Sequence, residues 1–345
     1  MMTKKEQLQQ GMLLVDEPTM RRWLSMADCI PAVEAAYAQF SRGETILPPI
    51  VSMALEDRNA ELDVKTGFIP GCNRIAVKMA AGFYENEKRY GLPSWPALVM
   101  VADGDSGFPL AVMDGGYLTT VRTGAAGAVG AKYLARKDAH TVFIMGAGNQ
   151  ARIQLAGLVQ VLPNLKKVYV HSPVDDGHFA CAQEMREVTG LDVEAVAEAE
   201  RVPECVRASQ VIVTVTPSRK ALIQREWIAP GTHINAIGSD GEGKQELDPA
   251  ILRDAKVVAD CFKQTSCFGE CQHAVAAGYM TADGDGLFGE IGELAGGMKP
   301  GRENDDEITV FDATGMAVLD VAAASIVYDS VSKDPDAKRF QMFQF

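Results

Sequence analysis

The stretch of this 345-residue sequence most suggestive of chemistry is Gly146-Ala147-Gly148-Asn149-Gln150-Ala151. It follows the strand-like run 141–145 and opens a helix-like run from Gln150 to Leu162, stopped by Pro163-Asn164. This is the G-x-G-x-x-[GA] pattern of a dinucleotide-binding turn. The first glycine permits the tight turn, and the second lets a pyrophosphate approach the main chain. Small Ala151 allows close helix–sheet packing, and the free N–H groups at the helix start face the anion. At the end of the next strand the residues are Val170-His171-Ser172-Pro173-Val174-Asp175-Asp176. No arginine is there to take a 2′-phosphate, although the acids come a few residues late, so NAD(H) is favoured over NADP(H).

Three charged residues invite functional readings. Lys78 lies in the apolar run Ile75-Ala76-Val77-Lys78-Met79-Ala80, where an unpaired ammonium is costly, so an anion partner with a functional role is expected. Arg122 precedes a small-residue helix at 124–131, and a surface or helix-start arginine is the lesser alternative to a functional one. Asp240, in Gly238-Ser239-Asp240-Gly241-Glu242-Gly243, has the surroundings of an ordinary turn aspartate. The set Cys261, Cys267, Cys271 and His273 lacks the paired C-x2-C spacing of a zinc site, so no metal is expected. The segment from Glu270 to Val275 is expected to begin a helix that carries polar residues toward the cleft. Cys72 is expected to be a free thiol. Glu290, Glu293 and the acidic run 303–307 read as solvated surface.

These residues need elements to position them. Residues 1 to about 40 have helical spacing, with Asp28 ahead of Pro31 as a cap for the second segment. From 46 to 121 short β-like runs are separated by Gly, Pro and Asn. The runs 97–102 and 108–113 flank Asp103-Gly104-Asp105-Ser106-Gly107, a hairpin signal in what reads as an antiparallel sheet with helices beside it. Beyond the glycine turn come strands at 167–171, 191–196, 210–216, 233–238 and 255–259, with helices near 178–189 and 199–208. Strands alternating with helices imply a parallel sheet covered on both faces. A long apolar helix at 316–332 ends the pattern.

With 33 basic and 46 acidic residues the net charge is −13, which argues against sequence-independent binding to nucleic acid or to anionic lipid. The apolar and charged fractions, 47% and 23%, exclude disorder and coiled coil. The N-terminus lacks the apolar core of a signal peptide, and no run reaches the length of a membrane span. Seven scattered cysteines fit a reducing compartment. A cytoplasmic protein is expected.

The chain resembles the ornithine cyclodeaminase/mu-crystallin family over nearly its full length. The resemblance is carried by Val77-Lys78, 111–115, Thr120-Val121-Arg122-Thr123-Gly124-Ala125-Ala126, the glycine turn, 230–240, Lys244-Gln245-Glu246-Leu247-Asp248 and Gly315-Met316-Ala317-Val318. It implies a Rossmann dinucleotide-binding domain at 123–312, inserted into an α+β substrate-binding and dimerisation domain made of 1–122 and 313–345, and a homodimer. It also implies hydride exchange between a nicotinamide and the Cα of an amino or imino acid. Arg122 and Lys78 then hold the substrate carboxylate, with Lys78 also catalytic, Asp240 is the acid/base near the substrate nitrogen, and His273 contacts substrate. The cofactor set is Thr123, Gly146, Gly148, Asn149, Gln150, Ala151, His171, Ser172, Thr214, Val215, Thr216 and Gly238.

Two departures bear on the reaction. Ile50 stands where the family's substrate-side arginine is expected, and the stretch 66–70 lacks the glutamate that ornithine cyclodeaminase offers its substrate. The missing acid, a natural partner for a diamine's cationic end, turns the expectation toward an imine reductase or amino-acid dehydrogenase. Ornithine or lysine cyclodeamination with catalytic NAD is the alternative, and a non-catalytic protein binding NADPH and a small ligand is a further one.

Overall fold

The computed structural model describes Lys5 and residues 9–342. They form two compact units: the chain up to Arg122 together with the segment from Met316 onward, and Thr123–Gly315. The returning segment begins at Met316 and not at 313. Gly315 still belongs to the inserted unit, where its N–H donates to Asp260 Oδ2 at 2.7 Å.

The first unit is built on β1 (Met12–Val15), β2 (Val51–Leu55), β3 (Ala60–Ile69), β4 (Arg74–Phe83), β5 (Ala97–Asp103) and β6 (Pro109–Asp114). With the short strand Arg339–Phe340 they make a seven-stranded sheet among the described residues. Its order is Arg339–Phe340, β1, β6, β5, β4, β3, β2. From β2 to β6 the sheet is an antiparallel meander, and β1 joins β6 in parallel. The beginning of the chain is therefore not helical throughout. Met12, Leu13 and Val15 bury their side chains by adding a strand, and only then do the helices Glu17–Trp23 and Met26–Ser41 follow. The part of that expectation at 1–4 and 6–8 lies outside the described residues. Ser25, not Asp28, caps the second helix: the Asp28 N–H donates to Ser25 Oγ at 3.1 Å.

The helix Ala317–Val331 is buried on nearly every side and packs on β3, β4 and the helix Met26–Ser41. Gly67 makes this approach possible, because a Cβ there would lie 3.1 Å from the Ala317 carbonyl carbon.

The inserted unit contains β7 (Thr141–Met145), β8 (Lys167–His171), β9 (Asp192–Ala195), β10 (Val211–Thr214), β11 (Arg219–Ile223), β12 (His233–Ala236), β13 (Gln245–Leu247), β14 (Lys256–Ala259), β15 (Gly289–Glu290) and β16 (Thr309–Asp312). Eight of these form a parallel sheet in the order β15, β14, β16, β12, β10, β7, β8, β9, and β11 pairs with β13 in a ribbon. Along β7, Phe143 and Met145 enter one apolar core while Val142 and Ile144 enter another. Helices therefore cover both faces. Counted from β7 the order runs 3-2-1-4-5, the doubly wound arrangement whose direction reverses between β7 and β10.

The helix that carries Arg122 is longer than its small-residue stretch. It spans Gly115–Leu134, with Asp114 Oδ1 accepting the Tyr117 N–H at 2.7 Å, so Arg122 sits inside it and not ahead of it. Glu290 and Glu293 are not solvated surface. They form a reciprocal capping box on the helix Ile291–Ala295, and Glu290 also accepts the Phe262 N–H at 3.0 Å. The run 303–307 is largely exposed, though Glu303 and Glu307 both reach Lys256, at 2.8 and 2.9 Å. Among the described residues no helix is long and apolar enough to cross a membrane.

Candidate functional site

In the first unit two cations meet one carboxylate. Lys78, on β4, is 2% exposed; Arg122 is 5% exposed; Asp320, in the first turn of Ala317–Val331, is fully buried. Lys78 Nζ donates to Asp320 Oδ1 at 3.0 Å and lies 2.9 Å from Oδ2. Arg122 Nε donates to the same Oδ1 at 3.0 Å. The anion partner expected for Lys78 is thus supplied by the chain itself, 242 residues along.

Burial, with Arg122 adding to it, brings the Lys78 ammonium down to about 7, and Asp320 only partly offsets this. Burial alone would raise the Asp320 carboxyl, but Lys78 and Arg122 outweigh it and hold it below its ordinary range. Lys65 on β3 is the direct cross-strand partner of Lys78 and adds to the positive field at both groups. Two buried cations against one buried carboxylate leave a positive charge, and burying it unbalanced is costly. A bound carboxylate is the natural complement, with Arg122 able to offer a two-pronged donor.

In the inserted unit the glycine turn lies at the carboxyl edge of the sheet, at the reversal point. Gly146 has φ of 117°, which glycine tolerates and branched residues do not. Gly148 precedes the helix Asn149–Val161 as its cap, and a Cβ built there meets nothing within 4 Å. That open cradle beside the first amides of a helix, Asn149 and Gln150 among them, suits a pyrophosphate. Ala151 is fully buried against the sheet. The Val215 N–H donates to Met145 O at 3.0 Å, which lays the segment after β10 beside the turn. Thr214, Thr216 and Gly238 lie where β10 and β12 end. Thr123 offers its carbonyl to Gln154 Nε2 at 2.9 Å.

At the end of β8 the His171 Nδ1–H donates to Val196 O at 2.8 Å, and Ser172 Oγ donates to Asp175 Oδ1 at 2.6 Å. Asp175 also accepts the Gly177 N–H at 2.9 Å, and these bonds hold its carboxyl below the ordinary range. Gly177 in turn packs against the glycine turn, since a Cβ there would lie 3.7 Å from Ala147 Cβ.

Asp240 is exposed, with Oδ1 2.7 Å from Nζ of buried Lys244. Its loop is tied from below by two residues of the helix Cys271–Ala276. The His273 Nε2–H donates to Lys244 O at 2.8 Å, and Gln272 Oε1 accepts the Gly243 N–H at 2.8 Å. Glu270 does not point to a cleft. It is 1% exposed, and its carboxylate accepts the Glu246 N–H at 2.6 Å and the Leu247 N–H at 3.2 Å. Cys271 is fully buried and Cys267 exposed, and among the described residues no group of three or more His, Cys, Asp or Glu is arranged to hold a metal ion.

Reading the sequence missed Asp320, Glu246 and Gln272. An aspartate in the apolar stretch 317–327 is the signal that points to the first, because an acid on a buried helix needs a cation.

The model of the ornithine cyclodeaminase/mu-crystallin family matches residues 10–334. An alanine dehydrogenase of Archaeoglobus fulgidus is 38% identical over 328 residues, 94% of this chain and 97% of that protein. The solved archaeal alanine dehydrogenase dimer with bound NAD superposes with a TM-score of 0.89 at 35% identity, covering 96% of this chain and all of that one. The Thermococcus litoralis Δ1-pyrroline-2-carboxylate reductase in complex with NADH and L-proline gives 0.90 at 31% identity, over 95% of this chain and all of that one.

Proposed function

Because this chain belongs to the ornithine cyclodeaminase/mu-crystallin family, we propose that it is a nicotinamide-dependent oxidoreductase acting at the Cα of an α-imino or α-amino acid. The observation that carries the proposal is the buried Lys78–Asp320–Arg122 cluster, with its unbalanced positive charge. Arg122 and Lys78 take the substrate carboxylate, and Asp320 orients both cations. Asp240 gives and takes the proton on the substrate nitrogen, in a loop that His273 and Gln272 support; His273 belongs to the substrate side. Bound to the carboxyl edge of the parallel sheet, the nicotinamide supplies or accepts the hydride.

Thr123, Gly146, Gly148, Asn149, Gln150, Ala151, His171, Ser172, Thr214, Val215, Thr216 and Gly238 form the cofactor set. The ionised Asp175 beside Ser172 disfavours a 2′-phosphate, which supports NAD(H) over NADP(H). The cations Lys65, Lys78 and Arg122 gathered around one carboxylate disfavour the charged end of a diamine, so imine reduction or amino-acid oxidation is preferred to cyclodeamination.

The test is a screen of NADH and NADPH oxidation with 2-oxo acids plus ammonia or methylamine, cyclic imines and iminodicarboxylates. Ornithine and lysine are assayed in parallel for ammonia release. Turnover of imines without ammonia release supports the proposal. Ammonia release from ornithine without net nicotinamide turnover would replace it with cyclodeamination.

A pH profile follows from Lys78. Its ammonium is charged below about 7 and neutral above. As the pH rises through about 7, kcat/KM for a carboxylate substrate should therefore fall. Lys78→Met should lie ~10- to 100-fold lower and lose that limb, since one charge-assisted hydrogen bond is gone. The same limb persisting in Lys78→Met would assign it to another group.

The assembly is a homodimer formed through the face of the seven-stranded sheet that Ala317–Val331 leaves uncovered. Val51, Val64, Met79 and Leu98 run side by side across four strands, and Val77, Met100, Val112 and Leu14 make an adjacent row. Met79, Leu98 and Val51 are 40%, 50% and 67% exposed in the single chain, too much contiguous apolar surface to leave in water. Light scattering at micromolar concentration should give a dimer, and Met79→Glu with Leu98→Glu a monomer. A wild-type monomer would contradict this assembly.

A further inference from the structure

Glu246 is fully buried in β13, and its carboxylate accepts from two backbone amides. Its Oε1 accepts the Thr216 N–H at 2.6 Å, and its Oε2 accepts the Gly238 N–H at 3.0 Å. These amides lie on the segments that leave β10 and β12, neighbouring strands of the parallel sheet. The segments approach closely: a Cβ on Gly238 would stand 2.4 Å from Glu246 Oε2 and 2.4 Å from Thr216 O. The glutamate is itself held, because Glu270 accepts its N–H and that of Leu247. Burial of Glu246 pushes its carboxyl up to about 7, against the pull of the Thr216 hydroxyl and of those amides. A group kept at that cost, with one oxygen on an amide of each loop, serves the loops.

We propose that Glu246 is a positioning residue for the nicotinamide half of the cofactor, its two carboxylate oxygens fixing the spacing between the Thr216 and Gly238 main chains. In a doubly wound sheet one mononucleotide half lies over the strands on each side of the reversal, so the segments after β10 and β12 serve the half opposite β8 and β9. The inference rests on the nicotinamide assignment made above.

The test compares Glu246→Gln with the wild type for NADH and for ADP, which carries the adenosine and both phosphates but no nicotinamide ribose. The glutamine keeps the size but sets an NH2 against one of the two amides, so one loop loses its acceptor. NADH affinity should fall ~10-fold or more, the value of one charge-assisted hydrogen bond, while ADP affinity stays unchanged. Glu246→Asp, which keeps both acceptor oxygens on a shorter stem, should fall between the two, and it carries the same comparison if the glutamine variant does not fold. Unchanged NADH affinity, or equal losses for NADH and ADP, would overturn the inference. Wild-type protein that binds no NADH would overturn the nicotinamide assignment itself, whereas normal wild-type binding with an unaffected variant removes Glu246 alone.

Discussion

Asp240→Asn is expected to slow the proton-coupled step by ~10² to 10⁴ in single-turnover assays, because an amide hydrogen-bonds but cannot act as acid or base at the substrate nitrogen. The magnitude separates this role from a structural one. Asp240 is exposed and paired with buried Lys244, and asparagine keeps an oxygen for that ammonium, so folding loses only the difference between a charge-assisted hydrogen bond and a weaker one, ~1 kcal/mol. A rate loss of that size corresponds to ~3 to 5 kcal/mol. The substitution should therefore leave thermal stability and substrate affinity close to wild type while turnover collapses. Arg122→Lys should do the reverse, raising KM more than it lowers kcat, since it keeps charge but loses the two-pronged grip. Near-normal single-turnover rates in Asp240→Asn would return this residue to an ordinary turn aspartate.

Gly148→Val should abolish measurable NADH binding without unfolding the protein or dissociating the dimer. Gly148 has φ of −81°, which valine adopts without strain, and a Cβ there meets no atom of the protein within 4 Å. The branched side chain would instead occupy the space assigned to the pyrophosphate. Titration of intrinsic fluorescence with NADH measures the loss, and light scattering checks the assembly. Unchanged affinity would remove the glycine turn from cofactor binding.

The glycine turn was legible in the sequence because its chemistry belongs to the backbone, and backbone demands leave residue types at fixed spacing. Lys78 was legible as well, since a cation within Ile75–Ala80 must be paired. Its partner was not, because no local pattern links β4 to a helix 242 residues later. Glu246 and Glu270 escaped for a related reason: acids read as solvated until a fold encloses them, and their partners are amides from other segments of the chain. Glu290 and Glu293 carried a local signature, acids three apart at a helix start, and were still misread as surface. The strand Met12–Val15 is a four-residue apolar run, too short for periodicity to separate strand from helix.

The central claim is that this chain joins a nicotinamide to the Cα of an imino or amino acid. Its most direct test is isotope transfer from NADH deuterated at C4 of the nicotinamide, in each stereochemical position in turn, to the best imine of the screen. The account predicts that one of the two labelled cofactors delivers its deuterium to Cα of the amino acid product, with none in product formed from the other. Cofactor oxidation without deuterium at Cα from either, or ammonia release from ornithine with no label lost from the cofactor pool, would contradict it.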